Sequence, residues 1–355
     1  MEYNQNGGLT LIPLPHFGAS AEKLKEIIEG KRDAKKSEIF TPVDIAVPEF
    51  GTRASGEPYI RLGKDHIGGH DCMILTSGPG TYEMLIQLLF AIGYVAGRHA
   101  SRITVVSAYF PLSRSDKDEG SLEFALPRLM VDLMQTAAYG LLQRIIAVDL
   151  HSPQSVVAGR PGLITEVSLA RRIMKKVIAD ANDYSPTTKI CLLFPDEGAA
   201  KRYAYPLQQV TEELGLTLPV ALGQKRRLSS RESILTGLSG DTVALNGALV
   251  IGFDDEIATG KTNNDIAVFV KEKYAVKRYW SVTIHGVLCD NAPELLQSEK
   301  CALDRIYVSD TVKIFERKEL ASLLANNKLI IVPWESDLAT ILYFTHWNTT
   351  IREMR

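Results

Sequence analysis

LVIGFDDEIATGKT, residues 249–262, passes from an apolar segment through acidic residues into a small, glycine-containing turn, and then into Asn263, Asn264 and a helix-like stretch. The apolar part, Ala248 to Phe253, is short enough to be a buried parallel strand. Open α/β sheets bind ligands at the carboxyl ends of such strands, and Asp254 and Asp255 are expected at that end. Two adjacent carboxylates there accept hydrogen bonds from a vicinal diol such as the 2- and 3-hydroxyls of ribose. The backbone N–H groups of Ala258 to Thr262 point at an anion. The stretch therefore reads as a site for a phosphorylated sugar. Gly260-Lys261-Thr262 invites a nucleotide P-loop reading instead. That loop needs a glycine five residues before the Gly of GKT, and the chain has Asp255 there.

Working outward, similar apolar runs recur at Cys72 to Leu75, Ile103 to Ala108, Arg144 to Val148, Ile190 to Phe194 and Tyr279 to Ile284. Helical periodicity fills most of the gaps: in Tyr82 to Arg98, Leu85, Leu88, Leu89 and Ile92 share one face. Strand alternating with helix predicts an α/β fold with parallel, doubly wound sheets. At 355 residues the chain exceeds what one core usually supports, so two domains are expected. Gly159-Arg160-Pro161-Gly162 marks the boundary. The expected division is 1–160, 161–305, and a C-terminal segment, 306–355, that packs back on the first domain.

Hydrophobic content of 45% supplies sizeable cores, and a net charge of −2 gives no electrostatic case for nucleic acid or an anionic membrane as partner. Any anion site must be local. The four cysteines, Cys72, Cys191, Cys289 and Cys301, include no CxxC, and Cys72 and Cys191 sit in apolar runs where buried, reduced thiols are expected. The N-terminus lacks the pattern of a signal peptide and no run reaches the length of a membrane span, so a cytoplasmic protein is expected.

Four further segments place polar residues just after apolar runs. In Ala108 to Lys117, AYFPLSRSDK, Arg114 and Lys117 can neutralise polyphosphate. In VDLHSPQ, residues 148–154, His151 can ligate a metal or bond a phosphate. FPDEGAAKR, residues 194–202, has small residues where a helix would begin and can seat a phosphate or its Mg²⁺. Lys225-Arg226-Arg227 continues into Ser229, Ser230 and Arg231, the composition of a mobile cationic loop that closes over a transferring phosphoryl group. Taken singly, each is equally a solvated surface feature.

Together and in order, SAYFPLSRSDK, VDLHSPQ, FPDEGAAKR, QKRR and FDDEIATGKT resemble the motifs of the ribose-phosphate diphosphokinases, or phosphoribosyl pyrophosphate synthetases, and Asp310-Thr311-Val312 echoes a late segment of that family. The resemblance implies two phosphoribosyltransferase-type (type I) domains, each a mostly parallel sheet flanked by helices, in a homo-oligomer that is dimer-based or hexameric. It implies Mg²⁺-dependent transfer of diphosphate from ATP to the C1 hydroxyl of ribose 5-phosphate. By it, Arg114, Asp116 and Glu57 carry over to the ATP side, and His151 and Asp196 to the metal and phosphate positions. Lys225 and Arg227 carry over to transition-state stabilisation, and Asp254, Asp255, Thr259, Gly260, Lys261 and Thr262 to ribose-phosphate binding.

The departures from the family pattern lie at the ligands. Ser115 replaces an amide in the ATP-side loop. Near the N-terminus, Arg53-Ala54-Ser55-Gly56-Glu57 keeps the acid but loses the stacking aromatic, with Arg53 offering a planar contact instead. In the sugar loop the third family acid is Ala258 and a glycine is Lys261. Counting full ionisation, that exchange raises the local charge by about two units. A more anionic acceptor, an ester of ribose 5-phosphate such as ADP-ribose, is one alternative expectation. A catalytically silent paralogue that regulates an active synthetase is another, and a phosphoribosyltransferase proper, which needs no ATP site, is a third.

Overall fold

The structure, a computed structural model, describes residues 6–31, 40–64, 66–116, 124–184, 187–227 and 233–351; of residues 16, 18, 19, 153, 154, 225–227, 233 and 234 it describes the backbone alone. The chain forms two units, Met1–Ser168 with Trp334–Arg355, and Leu169–Pro333.

In the first unit, β1 (Leu9–Pro13), β2 (Val43–Ile45), β5 (Asp71–Thr76), β6 (Arg102–Ser107), β7 (Leu142–Val148) and β8 (Ile164–Val167) form one sheet in the order β2-β1-β5-β6-β7-β8. Every pairing in it is parallel. The crossovers include α1 (Gly18–Gly30), α2 (Tyr82–Gly97) and α3 (Pro127–Ala137), while β3 (Pro48–Thr52) and β4 (Pro58–Leu62) make a separate antiparallel hairpin. The helix expected at Tyr82 is α2. Thr81 caps it by accepting a bond from the Met84 N–H at 3.3 Å, and its Leu88 and Ile92 are buried against Ile74, Val105, Met130 and Met134.

In the second unit, α4 (Ala170–Tyr184) leads to β9 (Ile190–Phe194), α5 (Glu197–Leu214), β10 (Val220–Arg227), β11 (Ser233–Gly240) and β12 (Leu249–Ile257). Next come α6 (Lys261–Tyr274), β13 (Arg278–Gly286), α7 (Ala292–Gln297), β14 (Arg305–Ser309), α8 (Ala321–Ala325) and β15 (Leu329–Val332). The sheet order is β11-β10-β9-β12-β13-β14-β15, parallel except for the β10–β11 pair. The α/β class and the two mostly parallel, helix-flanked sheets agree with the sequence reading.

The division of the chain differs from that reading in two places. The first unit extends to Ser168 because β8 adds to β7 and completes the sheet. The second keeps the chain to Pro333 because β14 and β15 continue its sheet beyond β13, so the return to the first unit begins at Trp334 rather than at 306. That return is α9 (Glu335–His346), which packs on α1, with Lys23 and Glu335 paired at 3.2 Å.

A buried ion cluster fixes the end of α9. Asp71, fully buried, takes Arg102 through two bonds, Nε at 2.9 Å and Nη2 at 2.6 Å, and His346 Nδ1 lies 2.8 Å from its Oδ2. Arg102 Nη2 also donates to the carbonyls of Thr345 and His346 in the last turn of α9. Cys72 and Cys191 are buried as expected, and burial pushes both thiols up to about 12, far from the reactive thiolate range. Among the described residues no helix is long and apolar enough to cross a membrane.

Candidate active site

Strand order assembles the site in the second unit. The adjacent parallel strands β10, β9 and β12 end at one edge of the sheet, so β10's final residues, the turn after β9 and the loop after β12 leave from the same side. This is the edge at which open α/β sheets hold ligands.

The sugar loop differs from the sequence reading in one respect. β12 continues past Phe253 to Ile257, because β13 runs beside it as far as the Ile257–Gly286 pair, whereas its pairing with β9 stops at Gly252. Asp254 and Asp255 therefore lie within the strand, along an edge that β9 no longer covers. Both are half-buried, and each carboxylate accepts the N–H of the following residue, Asp255 N–H to Asp254 and Glu256 N–H to Asp255, both at 2.9 Å. Gly260 then takes φ +74°, a conformation that favours glycine, and α6 starts at Lys261. Thr259, Lys261 and Thr262 are exposed around that helix start. Behind them, Asn263 and Asn264 are buried and anchor α6: Asn263 Nδ2 donates to Ser281 Oγ at 3.2 Å, and Asn264 Oδ1 accepts the Ala302 N–H at 2.7 Å.

Gly252 has its own packing requirement. A Cβ there would stand 1.9 Å from the Tyr279 hydroxyl, and the Tyr279 ring is buried, so it has no room to move aside. Burial, and then the nearby Asp254, push the Tyr279 hydroxyl pKa upward. Gly252→Ala is expected to destabilise the second unit by about 1–3 kcal/mol and to disturb the carboxylates two and three residues on, checked by denaturant midpoint and by sugar-phosphate affinity together.

Lys201 and Arg202 ride on α5, whose N-cap is Asp196: its Oδ1 accepts the Ala199 N–H at 2.9 Å. The residue expected at the metal is therefore also a helix cap. Lys225, Arg226 and Arg227 lie not in a loop but at the end of β10, paired with Leu235, Ile234 and Ser233 of β11. β10's pairing with β9 ends at Leu222–Phe194, so this two-stranded arm runs on past the sheet edge. Gly223 lets it pass close to the turn after β9, since a Cβ there would meet the Pro195 carbonyl oxygen at 2.4 Å. Ser229, Ser230 and Arg231 lie outside the described residues.

A buried polar network lies next to the sugar loop, and sequence reasoning named only its Asp310 and Thr311. His285, opposite Glu256 in the β12–β13 register, bonds Thr311 at 2.9 Å, and Thr311 meets Ser309 at 2.8 Å. Glu256, His285, Ser309, Asp310 and Thr311 are all buried. The signal was available, because polar residues close the apolar runs of β13 and β14 just as they close β12.

In the first unit, adjacent β6 and β7 bring the Arg114 turn and the His151 turn to the carboxyl edge of the other sheet. Both turns contain non-glycine residues with left-handed backbone, Leu112 at φ +62° and Asp149 at φ +36°. Such strain persists where surrounding structure holds it, often at binding sites. Asp149 is held: it is buried, Ser168 Oγ donates to its Oδ1 at 2.8 Å, and Leu150 N–H donates to Glu166 Oε1 at 2.9 Å. Arg114 is exposed, Asp116 and His151 are half-buried, and Lys117 lies outside the described residues. Glu57 stands at the tip of the β3–β4 hairpin, where it accepts the Ser55 hydroxyl at 2.8 Å. Arg53 is already stacked, with its guanidinium 5.5 Å from the Tyr59 ring centroid on the same hairpin.

His151 and Asp196 fall in different units, and the described residues gather no group of three acidic, histidine or cysteine side chains that could hold a metal. That donor set does not make an all-protein cage. It suits Mg²⁺ as it is commonly bound, on substrate phosphates with one or two protein ligands.

Two α/β units, with acidic and small-residue loops at the carboxyl edge, define a protein of the phosphoribosyltransferase type. Residues 34–138 match the N-terminal domain of ribose phosphate pyrophosphokinase. A ribose-phosphate pyrophosphokinase of Corynebacterium efficiens is 30% identical over 265 residues, covering 73% of this chain and 74% of the relative. One from Rhodopirellula baltica is 29% identical over 316 residues, 88% of this chain and 90% of its own. A crystal structure of phosphoribosylpyrophosphate synthetase from Mycobacterium smegmatis shares the fold, with TM-score 0.70 at 24% identity, over 96% of this chain and 99% of that one. The chain belongs to the ribose-phosphate pyrophosphokinase family, and its activity is that of a transferase.

Proposed function

We propose that this protein transfers the β,γ-diphosphate of ATP, with Mg²⁺, to the C1 hydroxyl of ribose 5-phosphate, giving phosphoribosyl pyrophosphate and AMP. The observation that carries the reading is the shared edge of β10, β9 and β12, from which a Lys-Arg-Arg arm, the Asp196 turn and the Asp254 to Thr262 loop all leave.

The C1 oxygen attacks the β-phosphorus of ATP, the bond from that phosphorus to the bridging α,β-oxygen breaks, AMP leaves with the electron pair, and the hydroxyl proton passes to solvent. Asp254 and Asp255 orient the sugar through its 2- and 3-hydroxyls. The N–H groups at the start of α6, with Thr259 and Thr262, hold the 5-phosphate. Lys225 and Arg227 offset charge that develops on the transferring group. Arg114, Asp116 and Glu57 belong to the nucleotide side. His151 in the first unit and Asp196 in the second are each proposed as residues that would hold Mg²⁺, which when bound would supply positive charge against the diphosphate. Exposed Ile86 on α2, with Leu129 and Leu133 on α3, supports a homo-oligomer as the working form.

A second reading keeps the chemistry and enlarges the acceptor to an ester such as ADP-ribose. It rests on Lys261, whose side chain is 74% exposed on the first turn of α6. Lys261 Nζ is, however, bonded to Asp265 at 2.7 Å, one turn on, which offsets much of the charge gained by losing an acid at Ala258. Free ribose 5-phosphate remains the acceptor of choice.

The test is sugar-dependent AMP formation from ATP. Asp255→Asn is expected to raise the KM for ribose 5-phosphate by about tenfold or more, since a charged acceptor of a substrate hydroxyl is lost. AMP formation that ignores the sugar, or an unchanged KM in that variant, contradicts the reading.

A further inference from the structure

The sugar loop is braced by a second loop, 287–290, that follows β13. Three successive N–H groups reach back to it: Val287 and Leu288 both donate to the Ile257 carbonyl, and Cys289 donates to the Ala258 carbonyl, each at 3.0 Å. Ile257 is two residues beyond Asp255, and Ala258 immediately precedes Thr259 and the turn at Gly260. An alanine offers no side-chain hydrogen bond, so its place depends on such backbone contacts.

The bracing loop is itself strained. Leu288 takes φ +48° and Asp290 φ +50°, left-handed conformations that a residue with a Cβ rarely adopts. They persist only where the surroundings hold them. Leu288 is held twice. Its side chain is fully buried in the core of the second unit with Ile257, Leu296 and Ile314. Its backbone is held by Arg317, which lies between β14 and α8. Arg317 Nη1 donates to the Val287 carbonyl at 2.9 Å and Nη2 to the Leu288 carbonyl at 2.8 Å, while Glu319 accepts from Nε at 2.7 Å and orients the fork. Two successive N–H groups thus converge on one carbonyl of the sugar loop, and the carbonyls of the same two residues converge on one guanidinium.

We propose that Arg317 is a positioning residue for the sugar loop: it fixes loop 287–290 so that Ile257 and Ala258, and with them the acidic pair and the start of α6, are set before ribose 5-phosphate arrives. The proposal rests on the assignment of that loop to the sugar phosphate. Arg317 acts through peptide groups, not on the substrate. A planar fork spans two adjacent carbonyls, which an ammonium, a single point donor, does not. A loop already in place lowers the ordering cost of binding, so losing Arg317 shows in sugar affinity rather than in turnover.

The test compares the full-length wild type with Arg317→Met and Arg317→Lys by amide hydrogen exchange and by steady-state AMP formation. In Arg317→Met, exchange at Val287, Leu288 and Cys289 is expected to quicken about tenfold. The KM for ribose 5-phosphate is expected to rise about tenfold, with kcat and the KM for ATP changed by no more than about twofold. Arg317→Lys keeps the charge without the fork, and its KM for ribose 5-phosphate is expected to rise about threefold. A structural role alone would lower the thermal midpoint without separating the two substrates. Wild-type exchange rates or an unchanged KM for ribose 5-phosphate in whichever variant folds, or equal rises in both KM values, overturn the proposal. A wild-type protein that forms no AMP with ribose 5-phosphate overturns instead the assignment of the sugar loop, and the proposal with it.

Discussion

Lys225→Ala is expected to lower turnover about a thousandfold while changing the KM for ribose 5-phosphate by no more than about twofold. A cation that meets negative charge only as the diphosphate moves contributes in the transition state and little before it. Removing it lowers kcat and kcat/KM together. The position fits that role, because β10 carries residues 225–227 past the last rung shared with β9, while the sugar loop leaves from β12 on β9's other side. Single-turnover kinetics with saturating ATP measure the effect. An equal loss in sugar affinity would instead place Lys225 among the residues that hold the ground-state sugar phosphate.

The second large effect concerns stability. Asp71→Ala leaves the Arg102 charge buried without its carboxylate, removes the partner of His346 Nδ1, and loosens the grip of Arg102 on the last carbonyls of α9. Breaking one side of a buried pair costs about 3–5 kcal/mol, mostly because the other charge is stranded. For a unit of this size the thermal midpoint is expected to fall by about 10 °C. The first unit alone should respond, since Asp71, Arg102 and α9 all belong to it. Differential scanning calorimetry that resolves the two units tests this, and an unchanged first-unit transition contradicts the account.

Which parts of this molecule the sequence disclosed follows from which forces are local. The strand cores at Ile103, Ile190 and Tyr279 are apolar runs whose type and position need no partner to be read. The end of β12 is different, because whether Asp254 and Asp255 follow the strand or lie within it depends on how far β13 runs alongside, a pairing between residues far apart in sequence. Lys225 to Arg227 read as a loop because they are charged, yet β11 pairs with them and makes them a strand. Asp196 was visible as an acid after an apolar run. Its bond to Ala199 N–H, which makes it a cap, follows from the same small residues that suggested a phosphate turn.

Arg53 shows the limit of motif reading. The sequence offers a free planar cation near Glu57, but the hairpin folds that cation over its own Tyr59. The ion cluster of Asp71, Arg102 and His346 left no local trace at all, since its members are 31 and 275 residues apart in the chain. For the same reason α9's return to the first unit was expected in outline and misplaced in extent. The candidate site was legible wherever polar residues close an apolar strand. His285 satisfies that rule too, which makes it the clearest residue that a stricter application of it would have found.

The most direct test of the central reading is a mass-spectrometric product assay in which the purified protein receives ATP and Mg²⁺ with ribose 5-phosphate and ADP-ribose side by side. The account predicts phosphoribosyl pyrophosphate and AMP in equal amounts, formed only when ribose 5-phosphate is present. A diphosphate ester of ADP-ribose as the sole sugar product, or no AMP under any combination, would contradict it.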